Sequence, residues 1–166
     1  MTILGVDTSL RSTGFGVLET AGSRMHAIDY GRIPNGPKVR LSECLKNIHT
    51  KIAALIAEYH PDVIAVEEVI YAKNALTTLA LGQARGAVLL AAAEANVPAY
   101  EYEPRRAKKA VCGNGMAEKE QVQRMVKTLL NLPEIPQNDA ADALALAICH
   151  NHSYVTCSRN PDWQPL

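Results

Sequence analysis

The sequence predicts an α/β domain: a mixed five-stranded sheet flanked by helices. Three features carry that prediction. A strand–turn–strand stretch, GVDTSLRSTGFGV, stands near the N-terminus; Val63-Ile64-Ala65-Val66 forms a continuous apolar run; and segments of helical periodicity follow from residue 41 onward. A run that is apolar throughout belongs to a strand buried on both faces, as in a parallel sheet, whereas strands joined by a tight turn pair antiparallel. Both kinds occur here, so the sheet is expected to be mixed.

Taken in order, Ile3, Leu4 and Val6 make a first strand that ends on Asp7. Thr8, Ser9, Ser12, Thr13 and Gly14 form a small-residue turn, and Phe15, Val17 and Leu18 begin the second strand. Met25 to Ile33 alternates loosely as a third, stopped by Pro34-Asn35-Gly36-Pro37. Leu41, Leu45, Ile48, Ile52, Leu55 and Ile56 recur at helical spacing to about Tyr59, where His60-Pro61 breaks the helix. The Val63 strand then ends on Glu67 and Glu68.

Residues 75–95 are rich in Ala and Leu almost all the way round a helix. Such a helix is either central in the core or packed against a second subunit. Val97 to Tyr102 is a fifth strand. Pro104 opens a basic helix, as proline suits a first turn; Gly113-Asn114-Gly115 interrupts it, and Glu118 to Leu130 forms the next. After Pro133 and Pro136 a last helix runs from Asp139 to about Asn151. The order βββαβαβααα reads as one domain over residues 1–154, with residues 155–166 a disordered tail.

Composition narrows the class. At 166 residues, 48% hydrophobic and 20% charged, the chain is long enough for a sizeable core. Its formal net charge is zero, so overall charge indicates no partner. The distribution is uneven: Arg105, Arg106, Lys108, Lys109, Lys119, Arg124 and Lys127 face only Glu118 and Glu120 in that stretch. This is either a phosphate-binding surface or a solvated helix face. Cys44, Cys112, Cys149 and Cys157 show no CxxC pairing, and no signal peptide is seen, so reduced thiols and a cytoplasmic setting are expected. His150 and His152 beside Cys149 point apart on a helix, which argues against zinc. No unbroken apolar run reaches the ~18 residues of a membrane span.

Four carboxylates stand out. Asp7 and Glu67 close apolar strands, and Asp139 and Asp142 lie at i,i+3 in NDAADALALA, on one helix face. An ionised carboxylate at the end of a buried strand needs a cation or hydrogen-bond donors, and turn amides are the alternative partner for Asp7. Asn138 or Asp139 also suits a helix start, where acids favour the dipole. Both roles are compatible. Hard divalent cations such as Mg²⁺ take oxygen ligands from a few carboxylates. Four acids could hold two ions ~4 Å apart, the arrangement of in-line phosphodiester displacement.

Across nearly its whole length the chain resembles the RuvC family of bacterial Holliday-junction resolvases. The matching stretches are GVDTSLRSTGFGV, VIAVEEVIYAKNALTTLALGQARGA, GMAEKEQVQRMVKTLLNLP and PQNDAADALALAICH. The resemblance implies a ribonuclease H-like fold and a homodimer that cuts two strands of four-way junction DNA symmetrically. It implies Mg²⁺-dependent hydrolysis, with about two ions per site and Mn²⁺ as a substitute, leaving 5′-phosphate and 3′-hydroxyl ends. It places Asp7, Glu67, Asp139 and Asp142 on the four metal-binding acids. Lys108 and Lys119 fall on basic positions tied to DNA contact and cleavage, Lys119 against charge on the phosphate. Arg85 and Arg105 are further expected DNA contacts, and the helix from Gly82 to Ala93 is expected at the dimer interface. A branch-migration motor complex is an implied partner; a membrane is not.

The chain departs from the family pattern twice. Thr8-Ser9 replaces the usual Pro-Gly after the first aspartate. Ile70 stands where the family often has a junction-stacking Phe, and Tyr71 is the candidate replacement, since stacking on a base tolerates any π-surface. Three other readings compete with this one. The N-terminal hairpin also looks like that of the actin/sugar-kinase fold, but the chain is too short for two such domains. A non-cleaving junction-binding protein gains nothing from a buried acidic cluster beside phosphates. A ribonuclease H-like nuclease acting on another substrate shares the acids, and only the LGQARG and AEKEQVQ stretches favour the junction over it.

Overall fold

The computed structural model describes residues 1–22, 24–69, 74–157 and 163–166. Among them the elements run β1 (Thr2–Asp7), β2 (Ser12–Ala21), β3 (Arg24–Pro34), α1 (Leu41–Tyr59), β4 (Val63–Glu67), α2 (Ala75–Glu94), β5 (Ala99–Tyr102), α3 (Pro104–Cys112), α4 (Lys119–Leu130) and α5 (Asn138–Cys157). The sheet order is β3-β2-β1-β4-β5. β1, β2 and β3 pair antiparallel, while β1, β4 and β5 run parallel, which is the expected mixed sheet.

Alternation along the strands sorts side chains between two cores. Ile3, Val63 and Ala65 pack with Leu144 of α5, Val111 of α3 and Val126 of α4. Leu4, Val6, Ile64 and Val66 pack with Ile48 and Ile52 of α1 and Val88 of α2. The central strands are thus apolar on both faces, and their odd-numbered residues face α5.

The helix that lies deepest is α5: Ala140, Ala141, Ala143 and every residue from Leu144 to Cys149 are at most 2% exposed. Its many alanines and the glycines beneath it permit this. A Cβ on Gly5 would overlap the main-chain carbonyl of Ala143, and one on Gly14 that of Asp139. Glycine at these two positions lets the helix rest on strand backbone. By contrast α2 buries one face only, that of Ala84, Val88, Ala91 and Ala92, while Leu76, Leu79 and Leu90 are 75%, 62% and 54% exposed. It is not the central helix.

Three details differ from the sequence expectations. By length and composition α2 is apolar enough to cross a membrane, with a mean hydropathy of 1.3. Counting unbroken runs overlooked it, because a mean tolerates Gln83 and Arg85. Second, α5 continues to Cys157 rather than ending near Asn151. Polar residues around that expected end are buried and partnered: Tyr102 Oη lies 2.8 Å from His150 Nδ1, and Arg106 Nη2 donates to Ser153 Oγ at 3.0 Å. Third, the tail expected to be disordered from residue 155 is helical to Cys157, and Trp163 stacks on Tyr100 with centroids 4.6 Å apart. The Leu166 N–H donates to the Ala99 carbonyl at 2.8 Å, along the outer edge of β5.

Candidate active site

Strand parity and register assemble the first half of the site. β1 and β4 are parallel neighbours, with Gly5 opposite Ala65 and Val6 opposite Val66. Asp7 and Glu67 follow at the carboxyl ends of the two strands, level with each other and on the α5 side. The second half comes from the first turns of α5, where Asp139 and Asp142 share a face. Asp7, Glu67 and Asp142 line one cleft of about 290 Å³ with Lys108 and Lys119. Pro104, Ala107, Ala145 and Leu146 supply its apolar wall. Larger hollows elsewhere, such as one of about 470 Å³ between β3 and α1, gather no comparable set of acids.

The carboxylates are held against their preference for water. Burial pushes the Asp7 carboxyl from 3.8 up to about 8, with the charges of Glu67, Asp142 and Asp139 adding to the rise and Lys119 opposing it. Glu67 is also raised, first by burial and then by Asp142; its hydrogen bond with Asp7 and the charges of Lys108 and Lys119 pull the other way. Asp142 is raised by burial, against Lys119 and Lys108. An array of acids packed until one keeps its proton near neutrality is a strong attractor for cations. The donors fit a divalent ion in kind, being anionic, oxygen-only and gathered on one cleft. Among the described residues no three His, Cys, Asp or Glu side chains converge into a finished ion cage. A Mg²⁺ ion takes only one or two carboxylates from its site and keeps several waters.

The basic candidates separate. Lys108 and Lys119 stand on α3 and α4 across the cleft, and Lys108 Nζ donates to the Ala117 carbonyl at 2.9 Å, pinning the α3–α4 connection. Arg105 is exposed on α3. Arg85 is engaged elsewhere: its Nη2 lies 2.6 Å from Glu101 of β5, so that its charge is already paired. Of the seven-residue basic stretch, Arg106 lies over the Tyr102 ring at 5.3 Å, a structural contact. Tyr71 and Ile70 lie outside the described residues.

Two parts of the site were not singled out from sequence. The Ser12 hydroxyl donates to Asp139 Oδ2, linking the start of β2 to the start of α5. Gly14, two residues along the same face, seats the Asp139 main chain. A period-two row of small residues, Ser12, Gly14 and Gly16, was the available signal. The loop between β1 and β2, where Thr8-Ser9 departs from the family pattern, is firmly tied. Thr13 Oγ1 donates to the Ser9 carbonyl at 2.6 Å, Asn35 Nδ2 to Leu10 at 2.9 Å, and Arg11 Nη1 to Gly36 at 2.7 Å.

Comparison with known proteins gives a consistent result. The family model described as crossover junction endodeoxyribonuclease RuvC matches residues 3–150. A protein of that name from Citrifermentans bemidjiense is 50% identical over 153 residues, covering 92% of this chain and 93% of the relative. One from Halothermothrix orenii is 49% identical over 155 residues, covering 93% and 94%. Among solved structures, Thermus thermophilus RuvC in complex with a Holliday junction substrate superposes with a TM-score of 0.88 at 32% identity, covering 100% of this chain and 99% of the other. The yeast mitochondrial Holliday junction resolvase, at 12% identity and a TM-score of 0.63, shares the fold and covers 95% of this chain and 85% of its own.

Proposed function

The chain belongs to the crossover junction endodeoxyribonuclease RuvC family, and from that premise we propose how this Holliday-junction-resolving endonuclease works. The observation that carries the reading is the convergence of Asp7, Glu67 and Asp142 on one cleft with Lys108 and Lys119; Asp139, one turn before Asp142 on α5, is near enough for its charge to raise the pKa of Asp7. Asp7, Glu67, Asp139 and Asp142 would hold the divalent metal on which the family's nucleases depend, in this reading Mg²⁺ at about two ions per site, with Mn²⁺ as a substitute. When bound, such ions supply positive charge to the attacking water and to the leaving 3′ oxygen.

The chain's own residues do the rest. Buried acids fixed on two strand ends and a helix set the position of the site relative to the DNA backbone before substrate arrives. The Lys119 ammonium offsets charge that builds on the phosphate as water adds to phosphorus and the bond to the 3′ oxygen breaks. The products are a 5′-phosphate and a 3′-hydroxyl. Lys108, held by the Ala117 carbonyl, keeps a second positive charge beside Glu67 and Asp142. Arg105 contacts phosphate along the exposed side of α3; Arg85 contributes to DNA binding only if its bond to Glu101 opens. Tyr71 is the candidate to stack on an unpaired base.

The partner is four-way junction DNA, as in the Thermus thermophilus complex. A homodimer presents two such sites for paired cuts, and the exposed Leu76, Leu79 and Leu90 of α2 support that helix as its interface. A branch-migration motor complex is a further partner, and the cytoplasm the place of action. The test is cleavage of a mobile synthetic four-way junction beside linear duplex and RNA–DNA hybrid, with and without Mg²⁺. Paired symmetric nicks in the junction alone, resealed by ligase, support the reading. Cutting of the hybrid instead, or binding without cutting, overturns it.

A further inference from the structure

We propose that Ser12 is a positioning residue for Asp139, presetting that carboxylate for the cation. This rests on the reading of the four acids as the metal-holding set. Three of them line one cleft, where Asp7 and Glu67 interact with each other and Asp142 feels the charges of both lysines. Asp139 does not line that cleft. It stands half-buried at the start of α5, and its side chain is fixed from β2, by the Ser12 hydroxyl donating to Oδ2.

Ser12 is well placed to impose a geometry. It is the first residue of β2, paired with Pro34 of β3. The loop before it is held by Asn35, whose N–H donates to the Arg11 carbonyl at 2.9 Å. Arg11 in turn donates to the Gly36 and Val39 carbonyls at 2.7 and 3.1 Å. With Gly14 seating the Asp139 main chain, β2 sets both the backbone and the side chain of this acid. The chemistry suits the task. A serine hydroxyl orients a carboxylate without cancelling its charge, as a lysine or arginine would. It occupies one oxygen and so fixes where the other points, and ordering the side chain in advance lowers the entropic cost of capturing an ion.

The experiment uses the full chain, with Mn²⁺ alone as the probe and no DNA, bound ion being counted by electron paramagnetic resonance. Ser12→Ala weakens Mn²⁺ binding about tenfold, the low end of what supporting hydrogen bonds contribute at metal sites. Ser12→Thr, which keeps the hydroxyl, stays within about twofold of the wild-type affinity. In parallel, Ser12→Ala requires more Mg²⁺ for half-maximal junction cleavage, while its KM for junction is unchanged. Where Ser12→Ala fails to fold, the isosteric pair Ser12→Thr and Ser12→Val gives the same contrast, the valine being the weaker. Wild-type Mn²⁺ affinity in Ser12→Ala, or equal weakness in Ser12→Thr and Ser12→Val, overturns the proposal. Asp139→Asn separates the two levels. If it weakens Mn²⁺ while Ser12→Ala does not, only the role of Ser12 falls; if it too binds as wild type, the four-acid reading falls with it.

Discussion

Replacing Asp7 by asparagine removes the anion that the cleft tolerates least while keeping its size and its place beside Glu67. The metal-free protein should therefore become more stable as it loses activity. Holding Asp7 ionised in the fold is opposed by burial and by three neighbouring acids, which raise its pKa from 3.8 to about 8. At 1.36 kcal/mol per tenfold change in proton affinity, that rise corresponds to roughly 6 kcal/mol at most. Residual solvent contact and the polarity of the replacement amide reduce the net gain to about 1–3 kcal/mol. The sign follows from proton linkage. Between pH 3.8 and about 8 the unfolded chain has released the Asp7 proton and the folded chain keeps it, so wild-type stability falls as pH rises through that window and levels off above it. The advantage of Asp7→Asn is near zero at pH 4 and complete above pH 8. Thermal unfolding in EDTA at pH 5 and pH 9 measures it: the variant melts roughly 3–10 °C higher at pH 9 and much closer to wild type at pH 5. Junction cleavage in Mg²⁺ drops to background, with junction binding retained. An unchanged or lower melting temperature at pH 9 would refute the picture of a buried, mutually repelling acid cluster.

Other expectations follow from the same geometry. Gly14→Ala forces the start of α5 away from β2; it costs about 1–3 kcal/mol of stability and cuts cleavage more than junction binding, as read by melting and by gel shift. Lys119→Ala lowers the single-turnover cleavage rate about 10²–10³-fold while shifting junction affinity little, the pattern of a group that acts on developing charge. Trp163→Ala removes the stack on Tyr100 and destabilises the chain by about 1 kcal/mol without touching cleavage, measured by denaturant titration and junction assay.

Much of this site is legible in the chain because its logic is local. Asp7 and Glu67 each follow a short apolar run, and strand alternation places them on the α5 side; Asp139 and Asp142 are one helical turn apart. The limits of α1 are equally plain, since apolar spacing stops where His60 takes a left-handed conformation before Pro61. What the chain hides are relations between distant residues. Nothing local marks His150 and Ser153 as buried, and only Tyr102 and Arg106, nearly fifty residues earlier, explain it. The link between Ser12 and Asp139 spans 127 residues. Arg85 is expected to contact DNA, yet β5 brings Glu101 against it. The Ala- and Leu-rich stretch leaves two readings open because its composition is nearly uniform around the helix; packing on α1 and the sheet leaves Leu76, Leu79 and Leu90 exposed.

The most direct measurement of the central claim is junction cleavage by four single variants, Asp7→Asn, Glu67→Gln, Asp139→Asn and Asp142→Asn, across a range of Mg²⁺ concentrations, with junction binding measured in Ca²⁺. If the four acids jointly hold the catalytic metal, each variant binds the junction as wild type does and none cleaves it at physiological Mg²⁺. A variant that cleaves at the wild-type rate and with the wild-type Mg²⁺ dependence would contradict the account.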